Sequence, residues 1–276
     1  MTLSQAELKD LDSEIQELVR KTGEFIQAEF DRFSFNKVQY KSHNDPFTYV
    51  DITAENILKE GGQKLLPGSG FINEESENQA SENGYSWIID PLDGTVNFIH
   101  GLPHFSISVA LSCEDEVLMG YVYGVVQKEM FSAISTQGAY LNGQSLNVSD
   151  RNQLQQSLIV TGFPSAYSEW LDNYIKVIGK LIQECHGLRR IGSAALDLAY
   201  VAAGRTEGFF EFGLNPWDVA AGALIVREAG GYVSDFQGGN HYLYGKQILA
   251  TNAKIHEDIL TLLNHYLPDL ETLNTV

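Results

Sequence analysis

Two cysteines in 276 residues, Cys113 and Cys185, leave no material for a disulfide framework. With no Cys-x-x-Cys and no Cys/His spacing they leave none for a zinc site either, and they read as core thiols of a reducing compartment. No apolar run approaches the roughly 18 residues that a membrane-spanning helix needs. The stretch Met1 to Lys21 mixes charge with apolar residues and builds no hydrophobic leader. A cytoplasmic location without a membrane partner is expected. Basic residues are also scarce: 18 Lys and Arg stand against 36 Asp and Glu, a formal net charge of −18 spread along the chain. Such a surface repels nucleic acid and anionic lipid, so neither is expected as a partner. A small anionic substrate would need local help, for which a divalent cation is the simplest source. Low-complexity tracts, long linkers and internal repeats are absent as well, and 43% hydrophobic with 20% charged residues is ordinary for a globular protein. The length suits one large domain or two closely packed ones.

What is present is concentrated in Trp87-Ile88-Ile89-Asp90-Pro91-Leu92-Asp93-Gly94-Thr95-Val96-Asn97-Phe98. The pattern predicts a short buried strand over Trp87 to Ile89 that breaks at Pro91 and turns through Gly94, gathering Asp90, Asp93 and Thr95 on one edge. Two carboxylates three residues apart repel each other unless a hard divalent ion sits between them, and oxygen ligands suit magnesium or calcium. Asp-x-x-Asp-Gly also serves in ordinary turns, where Asp caps backbone N–H groups and Gly supplies a positive φ. An EF-hand loop fits poorly, because the twelfth position from Asp90 is Gly101 rather than Glu.

Around this centre, Ser4-Gln5-Ala6-Glu7 is a capping box that opens a long amphipathic helix to Phe30. Ser34 to Asn44 reads as a loop or irregular hairpin, a candidate flap whose Lys41 could reach a phosphate. Asp45 to Asp51 alternates like a strand and leads into a helix from Thr53 that ends by Pro67-Gly68 and is weakened by Gly61-Gly62. Asp51 stands at the junction, where capping is its simplest reading. Glu74 and Glu75 are adjacent, so at most one can face a site. Phe105 to Leu111, Val117 to Val126 and Met130 to Ile134 read as an antiparallel meander, with tight turns at Gly138 and Asn142-Gly143. A strand over Leu158 to Thr161 and a helical stripe from Trp170 to Ile182 follow. Then come a strand from Leu188 to Ile191, a helix from Ser193 to Ala203 and a strand from Gly208 to Phe212, an alternating α/β segment. Asn215-Pro216-Trp217-Asp218 opens a further helix closing at Gly230-Gly231, with Asp218 in its first turn, where the positive helix end favours a carboxylate. Short strands at Tyr232 to Ser234 and Gln247 to Thr251 and a last helix complete a layered architecture.

Several of these segments together resemble the magnesium-dependent inositol monophosphatase family. Asn73-Glu74-Glu75-Ser76 is similar to its Gly-Glu-Glu-Ser segment, and Asp90 to Phe98 to its Asp-Pro-Ile-Asp-Gly-Thr-x-Asn-Phe core. Trp217-Asp218-x-x-Ala221-Gly222 with Glu228-Ala229-Gly230-Gly231 is similar to its C-terminal pattern. The likeness runs from the N-terminal helix to the Gln247 strand. It implies an α/β fold, the five-layer αβαβα sandwich of the sugar-phosphatase type. Residues 1–276 would form a single unit with an N-terminal α+β half of about 1–150 and a C-terminal α/β half of about 151–276, and two copies would form a homodimer. By position it implies that Glu74, Asp90, Asp93, Asp218 and the Leu92 carbonyl hold two magnesium ions, with a weak third near Glu74. Asp51 and Thr95, with Glu74, would act on the attacking water. The N–H groups of Gly94 and Thr95, if they open a helix, would hold the phosphate; Asp93 and Asp218 would also contact the substrate, and Gly192, Ser193, Ala194 and Glu211 its alcohol portion. Sensitivity to lithium is implied as well. Asn73, Leu92 and Pro216 depart from the family pattern, and the loop around Lys41 is one residue shorter than in the animal enzymes.

The chemistry is sensible on its own terms. Hydrolysis of a phosphate monoester is very slow in water and needs an oriented nucleophile and neutralised phosphoryl charge, both of which metals supply. The expected reaction is magnesium-dependent hydrolysis of a small phosphate monoester, inositol monophosphate first, without a covalent intermediate. The same core would serve the 2′-phosphate of NADP, 3′-phosphoadenosine nucleotides or fructose 1,6-bisphosphate, and Glu211 with Gly192-Ser193-Ala194 favours inositol phosphate. Phosphatases with an Asp nucleophile carry their two Asp residues two apart, whereas Asp90 and Asp93 are three apart. A non-enzymatic acidic metal-binding protein is the reading from another class, against which Thr95 and Asp51 speak.

Overall fold

Ser4 Oγ accepts from Glu7 N while the Glu7 carboxylate accepts from Ser4 N, so helix α1 (Gln5–Phe30) opens on the expected capping box. The computed structural model describes residues 3–34, 38–42, 45–114, 116–163 and 170–268. Strands β1 (Gln39–Ser42) and β2 (Asp45–Phe47) pair antiparallel, so the segment around Lys41 contains a hairpin; residues 35–37 and 43–44 of the expected loop lie outside the described residues. Helix α2 (Tyr49–Leu65) starts four residues earlier than the sequence suggests, because Thr48 caps it and Asp51 sits inside it as the third residue. Gly61 and Gly62 mark close approach within this helix. A Cβ on Gly61 would stand 2.4 Å from Leu18 Cδ2 on α1, and one on Gly62 3.0 Å from Trp87 Nε1.

The first sheet has the order β3 (Gly70–Asn73), β4 (Tyr85–Asp93), β5 (Ser106–Cys113), β6 (Glu116–Gly124), β7 (Glu129–Ile134), β8 (Ala139–Leu141) and β9 (Gln144–Ser145). β3 and β4 run parallel, and the rest is the expected meander. One expectation fails at the centre: β4 does not break at Pro91 but continues to Asp93. Asp90 pairs with Ser108 and Asp93 with Ser106, so β4 advances one residue more than β5 and bulges. Pro91 is tolerated there because the ladder is already interrupted and its missing N–H costs no bond.

The second sheet is built from β10 (Leu158–Thr161), β11 (Gly187–Arg189), β12 (Gly208–Phe212), β13 (Tyr232–Ser234) and β14 (Gln247–Thr251), in the order β11-β10-β12-β14-β13. β10 is parallel to β11 and β12, and β14 antiparallel to β12 and β13. Alternation along β4 sorts its side chains to two cores. Trp87 and Ile89 pack with Leu8, Ile15, Val19, Val50 and Leu58 under α1 and α2. Ile88 joins Phe131, Phe209 and Ile248 around helices α5 (Ala194–Ala202) and α6 (Pro216–Glu228), which lie between the sheets. Every residue of α6 from Val219 to Val226 is buried, as a helix covered on both sides requires. Tyr174, Phe210, Leu249 and Ile259 form a third core under helices α4 (Leu171–Glu184) and α7 (His256–Tyr266). The result is the five-layer αβαβα sandwich. The α4 stripe is narrower than expected, with Ile182 61% exposed. Cys113 and Cys185 are both free. Among the described residues no helix is long and apolar enough to cross a membrane.

Candidate active site

The chain leaves β4 through Gly94, whose φ of 96° lies in the left-handed region. A Cβ there would stand 3.0 Å from Gly192 O and 3.3 Å from Phe105 Cα, so both conformation and space demand glycine. Thr95 then opens the short helix α3 (Thr95–Ile99). Its Oγ1 lies 3.1 Å from Asp51 Oδ1 and 2.9 Å from Leu92 O. A hydroxyl has one proton, so it donates to one of these acceptors at a time. Asp51 Oδ2 accepts from Thr48 N at 2.8 Å and Thr48 Oγ1 at 2.7 Å. The carboxylate therefore caps α2 with one oxygen and meets Thr95 with the other. Burial raises Asp51 above the usual carboxylate range, against the hydrogen bonds from Thr48 and Thr95.

Glu74, Asp90, Asp93 and Asp218, the four carboxylates expected to hold metal, converge on this edge. Burial, then the charges of Asp218 and Glu75, hold Glu74 well above the ordinary range, against the pull of Lys41. Asp90 is raised well above it by burial and by Glu74, Asp93 and Asp218. Asp218, from the first turn of α6, is pushed up to about 7 by burial and by Asp93. Glu74 and Asp90 both feel Asp218, and they act on each other as well.

Internal donors take part of their oxygens. Leu92 N donates to Asp90 Oδ1 at 2.9 Å, and Asn215 N to Asp218 Oδ2 at 2.6 Å. Asp93 is held most firmly: Ser193 Oγ at 2.6 Å and Ala195 N at 2.7 Å donate to Oδ2, and Ala194 N at 3.2 Å to Oδ1. It thus caps α5 from another part of the chain. Ser106 Oγ, 3.0 Å from Ser193 Oγ, completes the support. Sequence reading missed Ser106, because a serine on a strand carries no signal of what it faces.

Among the described residues no group of three or more acidic, His or Cys side chains is arranged to hold a metal ion. The donor set nevertheless fits a hard divalent ion: carboxylates that raise one another's pKa, beside the carbonyl of the buried Leu92. Lys41 is a side-chain cation set against them, its Nζ 2.7 Å from Glu75 Oε1 and 3.8 Å from Glu74 Oε1. Glu75 N is in turn held by Glu55 Oε2 at 2.8 Å. Of the adjacent pair, Glu74 is the one that meets Asp90.

Gly192, Ser193 and Ala194 enter α5 beside Asp93. Asn97 Nδ2 fixes this entry by donating to His104 O at 2.8 Å and Ile191 O at 2.9 Å, a second link the sequence did not reveal. Glu211, at the end of β12, is half-buried and not a surface residue. Burial and then Asp218 push it up to about 8, while Arg190 pulls it down. The arginines nearby in sequence are engaged elsewhere: Arg205 binds Glu129 at 2.7 and 2.5 Å, and Arg189 Nη1 donates to Leu188 O at 2.9 Å.

The model of the inositol monophosphatase family matches residues 7–267. Nus factor SuhB of Escherichia coli (strain K12) is 43% identical over 251 residues, covering 91% of this chain and 94% of its own. Among solved structures, the extragenic suppressor protein suhB from Bartonella henselae superimposes with a TM-score of 0.88 at 37% identity, covering 92% of this chain and 98% of its own. The IMPase of Thermotoga maritima does so with a TM-score of 0.85 at 35% identity, over 95% and 99%. With the fold, the sequence and nearly the whole length in agreement, this chain belongs to the inositol monophosphatase family and is a phosphomonoester hydrolase.

Proposed function

We propose that this hydrolase acts with magnesium on a small polyol monophosphate, inositol monophosphate first, and that its reaction runs through the Asp51–Thr95 edge of the acidic cluster. The observation that carries the reading is the contact between Thr95 Oγ1 and Asp51 Oδ1 beside mutually repelling carboxylates. Glu74, Asp90, Asp93, Asp218 and the Leu92 carbonyl would hold two magnesium ions, with a weaker third near Glu74. When bound, magnesium supplies Lewis acidity, acidifying a water and shielding charge on the phosphoryl oxygens and the leaving alkoxide.

The chain's own groups do the rest. Thr95 Oγ1 orients the attacking water, and Asp51, whose raised pKa makes it a better base than an exposed Asp, receives its proton, with Glu74 as the alternative acceptor. The N–H groups of Gly94 and Thr95 donate to the phosphoryl oxygens, flanked by Asp93 and Asp218. Gly192, Ser193 and Ala194 line the alcohol side, where Glu211 accepts hydrogen bonds from hydroxyls. Lys41 reaches across from the hairpin to Glu74 and Glu75, which puts a positive charge at the mouth. Sensitivity to lithium, a homodimeric state and a cytoplasmic location belong to the same reading.

A panel of inositol monophosphate, NADP, 3′-phosphoadenosine nucleotide and fructose 1,6-bisphosphate, assayed by phosphate release, tests the substrate. A higher kcat/KM on any of the last three would displace inositol phosphate.

The name Nus factor, carried by the SuhB relative, gives a second reading in which a chain of this kind also serves apart from hydrolysis. It rests on the 43% identity. Replacement of SuhB in Escherichia coli by this chain with Asp90→Asn, once assay shows that variant to be impaired as a hydrolase, would support it, and failure of both that variant and the parent chain would oppose it.

A further inference from the structure

The ends of β10 and β12 meet beside the alcohol side of the site. Their parallel register pairs Val160 with Phe209 and Thr161 with Phe210, so Gly162 comes next to Glu211. Neighbours in register turn their side chains to the same face, and the Glu211 side chain leaves β12 toward the space that a side chain at 162 would fill. It fills that space itself. An ideal Cβ on Gly162 would stand 2.0 Å from Glu211 Oε1 and 2.1 Å from both its Cδ and its Oε2. All three nearest atoms belong to one carboxylate.

The backbone beneath is pinned. Thr161 Oγ1 lies 2.7 Å from Phe210 O and 2.6 Å from the Tyr174 hydroxyl, which itself donates to Gly162 O at 3.2 Å. Gly162 is not among the glycines with a positive φ, so the local backbone would accept alanine. What requires glycine is the carboxylate.

We propose that Gly162 is a positioning residue that determines specificity: by lacking a Cβ it seats the Glu211 carboxylate and so places the acceptor that reads hydroxyls on the substrate's alcohol portion. The inference rests on the reading of Glu211 given above. Because the carboxylate is the free end of a flexible side chain, Gly162→Ala displaces it without moving the strand.

The test compares the parent protein, Gly162→Ala, Glu211→Ala and the double variant on inositol monophosphate and on p-nitrophenyl phosphate, with melting temperature as a control. Gly162→Ala should raise KM for inositol monophosphate about three- to ten-fold, keep its kcat/KM on the aryl ester, and melt within about 2 °C of the parent. Added to Glu211→Ala it should cost nothing more, since both act through one group. An unchanged KM for Gly162→Ala beside a raised one for Glu211→Ala overturns the inference alone. So does an additive double variant, or an equal loss on both substrates with a lowered melting temperature. An unchanged KM for Glu211→Ala overturns the reading of Glu211 and this inference with it.

Discussion

Thr95→Ala separates the chemical role of the Asp51 edge from its structural one. The change removes a single hydroxyl, 3.1 Å from Asp51 Oδ1 and 2.9 Å from Leu92 O. Asp51 keeps both hydrogen bonds from Thr48, and the cap of α3 is Gly94 rather than Thr95, so the fold loses little. One buried hydrogen bond amounts to about 1 kcal/mol, a fall of about 2–4 °C in melting temperature for a chain of this size. The reaction loses much more. Removal of one positioned hydrogen-bonding group costs about 2.7–4 kcal/mol at the transition state, or two to three orders of magnitude in kcat. No proposed ligand is touched, so magnesium affinity should stay nearly constant. Phosphate release from an aryl phosphate at saturating magnesium gives kcat, and calorimetric titration of the same variant gives the affinity. Thr95→Ser, which keeps the hydroxyl, should recover most of the rate. A Thr95→Ala protein with the parent kcat would refute the reasoning, and a parallel loss of kcat and magnesium affinity would make Thr95 a structural support of the site.

Other consequences follow from the charges and the packing. Glu211→Ala should raise KM for inositol monophosphate about ten-fold or more, the loss of one charge-assisted hydrogen bond of ~1.5–3 kcal/mol, with little effect on an aryl phosphate; equal losses on both would make Glu211 structural. Asp218 and Glu211 titrate near 7 and 8 in the folded chain, above their ordinary values of 3.8 and 4.5. Because these folded values are raised, the stability linked to them is full below about pH 4 and is lost as the pH rises through them. The metal-free protein should therefore melt lower at about pH 8.5 than at about pH 6, and magnesium at a hundred times its Kd, worth about 2.7 kcal/mol, should restore more at the higher pH. A metal-free melting temperature that rises from the lower to the higher pH would contradict this. Gly120→Ala, whose Cβ would stand 2.8 Å from Ala221 O and 3.0 Å from Ala221 Cα, should cost about 1–3 kcal/mol in a denaturant titration, because backbone on α6 would have to move. An unchanged midpoint would mean that the two layers slide apart freely.

Local signals carried much of this architecture. The capping box at Ser4, the meander with its turn at Asn142-Gly143, and the acidic first turn of α6 rest on neighbouring residues, and the structure has them where the sequence suggested. Asp90, Asp93 and Thr95 were legible for the same reason, as one short stretch of odd composition. Where partners come from distant segments, the sequence was silent. Nothing near Asp93 announces that the amides of Ala194 and Ala195 will close on it, nor does anything near Glu211 announce that it lies on Gly162. The break expected at Pro91 was a local rule overridden by a bulge. The weakness seen in Gly61-Gly62 was in truth a demand for space by Leu18 and Trp87, which a propensity scale cannot register. Lys41 was visible as a nearby charge, but its contact with Glu75 depends on the hairpin folding over the end of β3.

The central claim is that the acidic cluster works by holding magnesium for hydrolysis of a phosphate monoester. It is tested most directly by phosphate release from inositol monophosphate after stripping with chelator and after magnesium is added back, with Asp90→Asn alongside. The account predicts no turnover in chelator, recovery of the parent protein on magnesium, and a variant impaired in both rate and magnesium affinity. Full turnover in chelator, or an Asp90→Asn protein as active as the parent, would contradict it.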